Sequence, residues 1–388
     1  MAMQSSDLTE SIQSAAKSGD TVTIPPGVHE VCIDIPEGSR GLKLVGAGRN
    51  RTFIRSNVKG QPALRARGLW YSQISGIAFE TQLANEAVVD IDGTPGVLGV
   101  QGNTFSDCIF NAQGTHDGQR SRYAFALNRT SGSHGQGSEQ CFINCHFQGA
   151  YEACYYQYGY NALNNQFIGG NFQNYTKHGI LSTFGSFHLY GVGFQSTTGI
   201  EQVKNDGWDI SAFHGGAGDA LTISGCRTES LRFIKTCASQ PPMISCCNQR
   251  APEVIEGHNV VECETAVILN CNWQCGQVLV LRDLVNFTVE VNSDYVIPPG
   301  VRTVLADASK GNIRLTLSDE SKLPSGHSVE VIRADKVAKY SVQVLGTHMN
   351  NDYGRMVEKL NHTTRRSGRF LVLGGGVVPR RWYVVRGH

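Results

Sequence analysis

Charge is scarce in this chain. Asp, Glu, Lys and Arg make up 17% of its 388 residues, and 34 basic against 33 acidic side chains leave a formal net charge of +1. No long basic run occurs, which argues against duplex nucleic acid as a partner. No stretch approaches the roughly 20 consecutive apolar residues of a membrane helix, so no membrane insertion is expected. The opening residues MAMQSSDLTESIQ lack a basic start followed by an apolar run, and no signal peptide is expected from them. Sharp catalytic signatures are missing as well: there is no G-x-S-x-G, no H-E-x-x-H and no P-loop. Gly46-Ala-Gly48 falls short of a full G-x-G-x-x-G and has no helical pattern after it, so it reads as a turn between structural units.

Glycine is plentiful, at 44 residues. Few charges with many glycines fit an all-β chain of tight turns better than a helical one. A short phrase recurs through the middle of the chain: an apolar residue, any residue, a small or polar one, a small apolar one, any residue, then usually an aromatic. It appears as Ile74-Ser-Gly-Ile77-Ala-Phe79, Phe105-Ser-Asp-Cys108-Ile-Phe110, Phe142-Ile-Asn-Cys145-His-Phe147, Phe167-Ile-Gly-Gly170-Asn-Phe172 and Leu189-Tyr-Gly-Val192-Gly-Phe194. More degenerate copies start at Ile223, Ile244 and Ile268. Starts are separated by 31, 37, 25, 22, 34, 21 and 24 residues. A period in the low twenties with occasional long insertions marks a solenoid in which each repeat is one coil.

Residues in equivalent register stack coil on coil. Phe79, Phe110, Phe147, Phe172, Phe194 and Trp273 should therefore form an aromatic spine inside the solenoid, about 4.8 Å per step. Twelve cysteines invite a disulfide or metal reading, yet Cys108, Cys145, Cys226, Cys247 and Cys271 share one register. A ladder of small buried thiols is the simplest account, with disulfides and then a metal as lesser readings. Cys271-Asn-Trp-Gln-Cys275 has no matching pair, and Cys246-Cys247 is no metal motif. Neither metal nor cofactor is expected. Free thiols point to production in a reducing cytoplasm.

The one clear helical pattern is Asp7 to Ser18, with Leu8, Ile12, Ala15 and Ala16 at helical spacing and Gly19 as a stop. It suits a cap over the open end of a solenoid core. The rhythm breaks twice, at about 112–139 and 196–220, where inserted loops can carry function without disturbing the core. From about Asp294 the aromatic-ended phrase stops, and alternating strands joined by polar turns read as a small antiparallel β domain. The expected division is a cap over 1–19, a parallel β-helix over 20–293 and a β domain over 294–388.

The stretch Gly19-Asp-Thr-Val-Thr-Ile-Pro-Pro-Gly-Val-His29, followed by Leu42-Lys-Leu-Val-Gly-Ala-Gly-Arg-Asn-Arg-Thr-Phe-Ile54, resembles the opening coils of the pectin-lyase-like superfamily of right-handed parallel β-helices. The resemblance covers roughly residues 1–290 and implies the fold more than an activity, since such folds host lyases, hydrolases, epimerases and non-catalytic fibres. The tail carries Ala306-Asp-Ala-Ser-Lys-Gly-Asn-Ile-Arg-Leu-Thr-Leu317, Leu323-Pro-Ser-Gly-His327 and Arg381-Trp-Tyr-Val-Val385. These resemble a C-terminal β module of bacteriophage tailspikes and tail fibres. That likeness implies a homotrimer, placement on a virion tail or outside the cell, and a polysaccharide partner. The pairs Arg365-Arg366 and Arg380-Arg381 read as a solvated surface before an anionic-ligand patch.

Gly132-Ser-His-Gly135 contains the His-Gly pair of polygalacturonases, but the accompanying Asn-Thr-Asp and Arg-Ile-Lys signatures are missing, as is an aspartate cluster for calcium. Hydrolysis of a glycosidic bond needs two carboxylates, one protonated and one ionised. Elimination from a uronic-acid polymer needs a base and neutralisation of the substrate carboxylate. The second break supplies Glu201, Lys204, Asp206 and Asp209, with Trp208 as a sugar platform and His214 nearby. One coil later, alternation places Arg227 and Glu229 on one strand face. One coil earlier stand Lys177 and His178, and Tyr156 and Tyr158 belong to a tyrosine-rich strand with outward positions. The leading expectation is depolymerisation of a bacterial surface or acidic polysaccharide by Asp206 or Asp209 with Glu229. Lyase chemistry through Lys177, His178 or Arg227 comes next, then a non-catalytic glycan-binding fibre or adhesin, and then a uronan epimerase.

Overall fold

The computed structural model describes residues 5–93, 99–115, 119–130, 136–213, 221–236, 242–250, 259–263, 266–274, 277–280, 284–285, 287–298, 301–317, 328–333, 340–345, 357–360, 367–375 and 378–385. The chain divides into two compact units. The first is Met1–Thr265 with Leu269–Leu281, and the second is Ala266–Ile268 with Arg282–His388.

The first unit is a right-handed parallel β-helix. Each coil contributes a short strand to three long sheets. Sheet A begins with Thr21–Ile24, sheet B with Gly27–Glu30 and sheet C with Ile33–Ile35. Every later coil pairs in parallel on the one before, so side chains in the same register form rows along the axis. The recurring phrase spans the corner between sheets A and B: Ile74 lies in the sheet A strand Gln73–Ser75 and Phe79 in the sheet B strand Ala78–Thr81.

The aromatic spine is present. Phe79, Phe110, Phe147, Phe172 and Phe194 are register partners in sheet B, with stacked rings 5.9, 4.8, 4.7 and 5.1 Å apart. A second column, Phe105, Phe142 and Phe167, stacks in sheet A at 5.1 and 4.8 Å. Burying each ring contributes about 1.5–3 kcal/mol, and pair geometry adds somewhat more. The spine is shorter than the sequence implies. After Phe194 its position passes to Thr228 and then Gln249, and Trp273 instead packs 5.7 Å from Phe233. Cys108, Cys145, Cys226 and Cys247 are buried at the shared register, while Cys271 is half-buried.

Helix α1 (Ser5–Ser18) covers the first coil, burying Leu8, Ile12, Ala15 and Ala16 against the strands Thr21–Ile24, Ile33–Ile35 and Ser39–Arg40. Gly19 ends it at φ +77°, its N–H bonded to Ala15 O at 2.8 Å. The two breaks in the rhythm are not simple loops. The first contains the sheet C strand Tyr123–Leu127, and the second contains α2 (Gly199–Lys204) and the sheet C strand Ile210–Ala212.

The second unit has two sheets. In one, Phe287–Val291, Val301–Ala306 and Ser328–Arg333 pair in parallel, then Ser367–Gly375 and Val378–Val385 add antiparallel strands. In the other, Tyr295–Ile297, Ile313–Leu317 and Val342–Leu345 are parallel, and Val357–Leu360 is antiparallel. The expected antiparallel pairing thus holds for the last strands, and the earlier ones continue parallel stacking. Ile297, Val304, Leu315, Val331 and Val344 fill the core, with Tyr295 and Tyr340 packed beside it.

Candidate functional site

The residues singled out from sequence near the second break are mostly inside the protein. Asp209 is fully buried, so it cannot meet a polymer on the outside. Its Oδ1 accepts from Tyr175 Oη at 2.5 Å and Gln202 Nε2 at 2.8 Å, and its Oδ2 accepts from Thr228 Oγ1. Burial lifts its pKa to about 6, against the pull of those donors. Asp209 therefore anchors α2 and the next coil to the core. Trp208 is also buried, which corrects its reading as a sugar platform; the Arg232 guanidinium and Lys235 ammonium lie 5.2 and 5.8 Å from its ring. His178 is 9% exposed, its Nδ1 accepts from the Trp208 backbone N–H at 3.2 Å, and burial drops its pKa to about 4. It is a neutral structural imidazole rather than a base facing substrate.

The remaining candidates are on the surface and largely satisfied by one another. Asp206 pairs with Arg232 at 2.9 Å, Glu201 with Lys204 at 3.6 Å and Lys177 with Glu152 at 3.0 Å. Arg227 and Glu229 do share one outward face, on sheet B, where they pair directly and border a shallow cavity of about 170 Å³. His214 and the Gly132–Gly135 segment lie outside the described residues, as do Arg365-Arg366 and the side chains of Arg380-Arg381. The structure brings Trp208, His178 and Asp209 close together but does not join them to Glu229 in one open site.

A different cluster occupies the outer face of sheet C. The strand Ala87–Asp92 reads Val-Val-Asp-Ile-Asp at its end, so Val89 and Ile91 enter the core while Asp90 and Asp92 face out. Residues two apart on a strand are separated by about 6.6 Å, within the span of glycosidase carboxylate pairs. The preceding coil sets Arg65 beside Asp90 and Arg67 beside Asp92 in register. Arg129 Nη2 reaches Asp90 Oδ2 at 2.8 Å, and Thr130 donates its N–H (3.2 Å) and its hydroxyl to Asp92. These groups line a cleft of about 160 Å³.

Asp90 is 7% exposed, and burial raises its pKa above the usual carboxylate range although Arg129 pulls the other way. Its Oδ1 and the Arg129 Nε–H are buried without a hydrogen-bond partner among the described residues. An unpaired buried acceptor beside an unpaired buried donor is costly. Farther along the same outward row, Asp90 is followed by Ala126, Tyr156 and Leu181. Tyr156 stacks on Tyr123 at 4.6 Å, and Tyr158 stacks on Phe184 at 5.4 Å, with exposed Tyr160 4.2 Å from the same ring. Of the residues expected from sequence none lines this cleft, and Tyr156 lies two strands along the same row. Asp90 and Asp92 escaped notice although alternation in Val-Val-Asp-Ile-Asp marks them, the same signal that marked Arg227 and Glu229.

No family model and no curated protein matches the chain. Among solved structures it is similar to the catalytic domain of Agl-KA, with a TM-score of 0.50 and 9% identity over 88% of this chain and 61% of that one. The chain thus spans about three fifths of that domain's length. It is also similar to PfbA, a surface adhesin of Streptococcus pneumoniae (TM-score 0.38, 13% identity, 99% and 95% of the two chains). A third likeness is to ORF18 of Geobacillus virus E2 (TM-score 0.30, 11% identity, 92% and 60%). At such identities the first likeness is one of fold, and the other two are too distant to bear on chemistry. Among the described residues no helix is long and apolar enough to cross a membrane.

Proposed function

We propose that the chain binds a polysaccharide along the outer face of sheet C and hydrolyses it between Asp90 and Asp92. The observation that carries this reading is the carboxylate pair itself: two outward-pointing, largely buried aspartates on one strand, in a cleft walled by arginines, one of them with an oxygen left unpaired. Asp90, with its raised pKa, is the acid that protonates the departing glycosidic oxygen. Asp92 is the base that takes a proton from water, whose oxygen bonds to the anomeric carbon. The products are two sugar ends, one of them reducing. The Tyr156 and Tyr158 rings supply flat apolar faces for neighbouring sugars.

Tailspike-like assembly as a homotrimer belongs to the same proposal, supported by the sequence likeness of the C-terminal module. A solution mass of three times 42.2 kDa is expected by light scattering, and a clean monomer would contradict it. Incubation with a panel of bacterial polysaccharides tests the chemistry. New reducing ends without absorbance near 235 nm, lost in Asp90→Asn, support hydrolysis. Absorbance at that wavelength would indicate elimination instead, and binding without new ends would favour an adhesin.

A further inference from the structure

A second cavity, of about 420 Å³, adjoins the cleft toward the N-terminal cap. It is lined by Gln13 of α1, by Asp34, Pro36 and Glu37 of the first coil, and by Arg65 and Arg67 of the second. Arg65 and Arg67 also line the Asp90 cleft, so one wall serves both cavities. They sit two apart on the strand Leu64–Arg67, whose apolar partners Leu64 and Ala66 are buried, and both therefore face outward.

Both arginines differ from those on the coils that an acid neutralises. Arg55, Arg122, Arg129, Arg227 and Arg232 each hold a carboxylate. Arg65 and Arg67 form no ion pair among the described residues, although Asp34 and Asp90 flank Arg65 in register. A guanidinium is a rigid fork of donors matched to a planar carboxylate. Two such forks on one wall, facing Asp34, Glu37 and Gln13 across a cavity of sugar size, offer a place for an anion and acceptors for ring hydroxyls.

We infer that this cavity is a subsite for a carboxylated sugar, with Arg65 and Arg67 gripping the carboxylate and Asp34, Glu37 and Gln13 the hydroxyls. The inference rests on the proposed role of the neighbouring cleft. Adjacent coils are about 4.8 Å apart, close to the rise of one sugar in an extended polymer. The acidic sugar therefore sits next to the one whose bond is cut, on the side toward the cap. A neutral polymer would leave both guanidiniums without a charged partner.

The test uses the full-length Asp90→Asn, Asp92→Asn protein, which holds substrate without turnover. Calorimetry is run with oligosaccharides of polygalacturonate, alginate and hyaluronan, each beside its carboxyl-reduced counterpart of the same linkage. At least one acidic member should bind tenfold or more tightly than its reduced form. Adding Arg65→Gln and Arg67→Gln should abolish that preference, while Arg227→Gln on sheet B should leave it intact, with thermal unfolding confirming that each protein is folded. Preference surviving the Arg65/Arg67 changes, or no acidic member binding, would overturn the inference. Cleavage by the parent protein is scored separately. Hydrolysis of a neutral polymer that depends on Asp90 but not on Arg65 would sink the acidic subsite alone, and acidic binding without cleavage would sink only the catalytic reading.

Discussion

The outer face of sheet C around Asp90 and the outer face of sheet B around Glu229 carry the same kinds of side chain, an acid beside an arginine. On sheet B, Glu229 also accepts from Gln195 at 3.2 Å, and its pair with Arg227 stands in solvent. Such a pair is worth little and leaves nothing for a ligand. On sheet C, Asp90 is held by Arg129 on one oxygen only, and two guanidiniums stand by unpaired. Asp209 shows the opposite extreme, a buried carboxylate so fully bonded that it can only hold structure. Residue type does not separate these three acids; their unmet hydrogen-bonding capacity does.

Breaking the comparison begins with the largest effect. Asp90→Asn should cost about a thousandfold in kcat on any polymer the protein cuts, whereas Glu229→Gln should stay within about twofold. Comparable losses in both would erase the distinction drawn between the two faces. Next, Asp209→Ala strands the Tyr175, Gln202 and Thr228 donors and should lower unfolding free energy by about 3 kcal/mol in urea. Arg227→Gln should change it by no more than about 0.5 kcal/mol.

The pH dependence of stability sharpens the contrast inside the core. His178 has a folded pKa of about 4 against the ordinary 6.5, so between those values the unfolded chain holds the extra proton, and stability falls as pH drops. Asp209 has a folded pKa of about 6 against 3.8, so the native chain holds the extra proton and stability falls as pH rises through that window. Between pH 4 and 6 the two slopes oppose one another. Relative to the parent, His178→Gln should gain about 2 kcal/mol on going from pH 6 to 4.5, and Asp209→Asn should lose a similar amount. Parallel curves for all three proteins would remove the assignment. The smallest expected effect is on the activity profile: Arg129→Gln removes the charge that pulls Asp90 down, so the basic limb should move to higher pH.

Much of this architecture was readable in advance because one phrase repeats at the corner of sheets A and B. Phe79, Phe110 and Phe147 mark the interior at every coil, and Leu8 with Ile12 announces the cap. Sheet C has no such phrase. Its strands lie in the variable stretch between copies, and Tyr123–Leu127 and Ile210–Ala212 fall in segments that read as insertions. The face bearing the cleft was therefore the face without a ruler. Trp208 and Asp209 misled for a related reason: past Phe194 the interior turns polar at Thr228, a switch that needs the register between distant coils to be seen.

The most direct test is a crystal structure of Asp90→Asn bound to an oligosaccharide that the parent protein cleaves. The account predicts sugar density along the outer row of sheet C, from Arg65 past residue 90 toward Tyr156. Density over Arg227 and Glu229 on sheet B, with the Asp90 cleft empty, would contradict it.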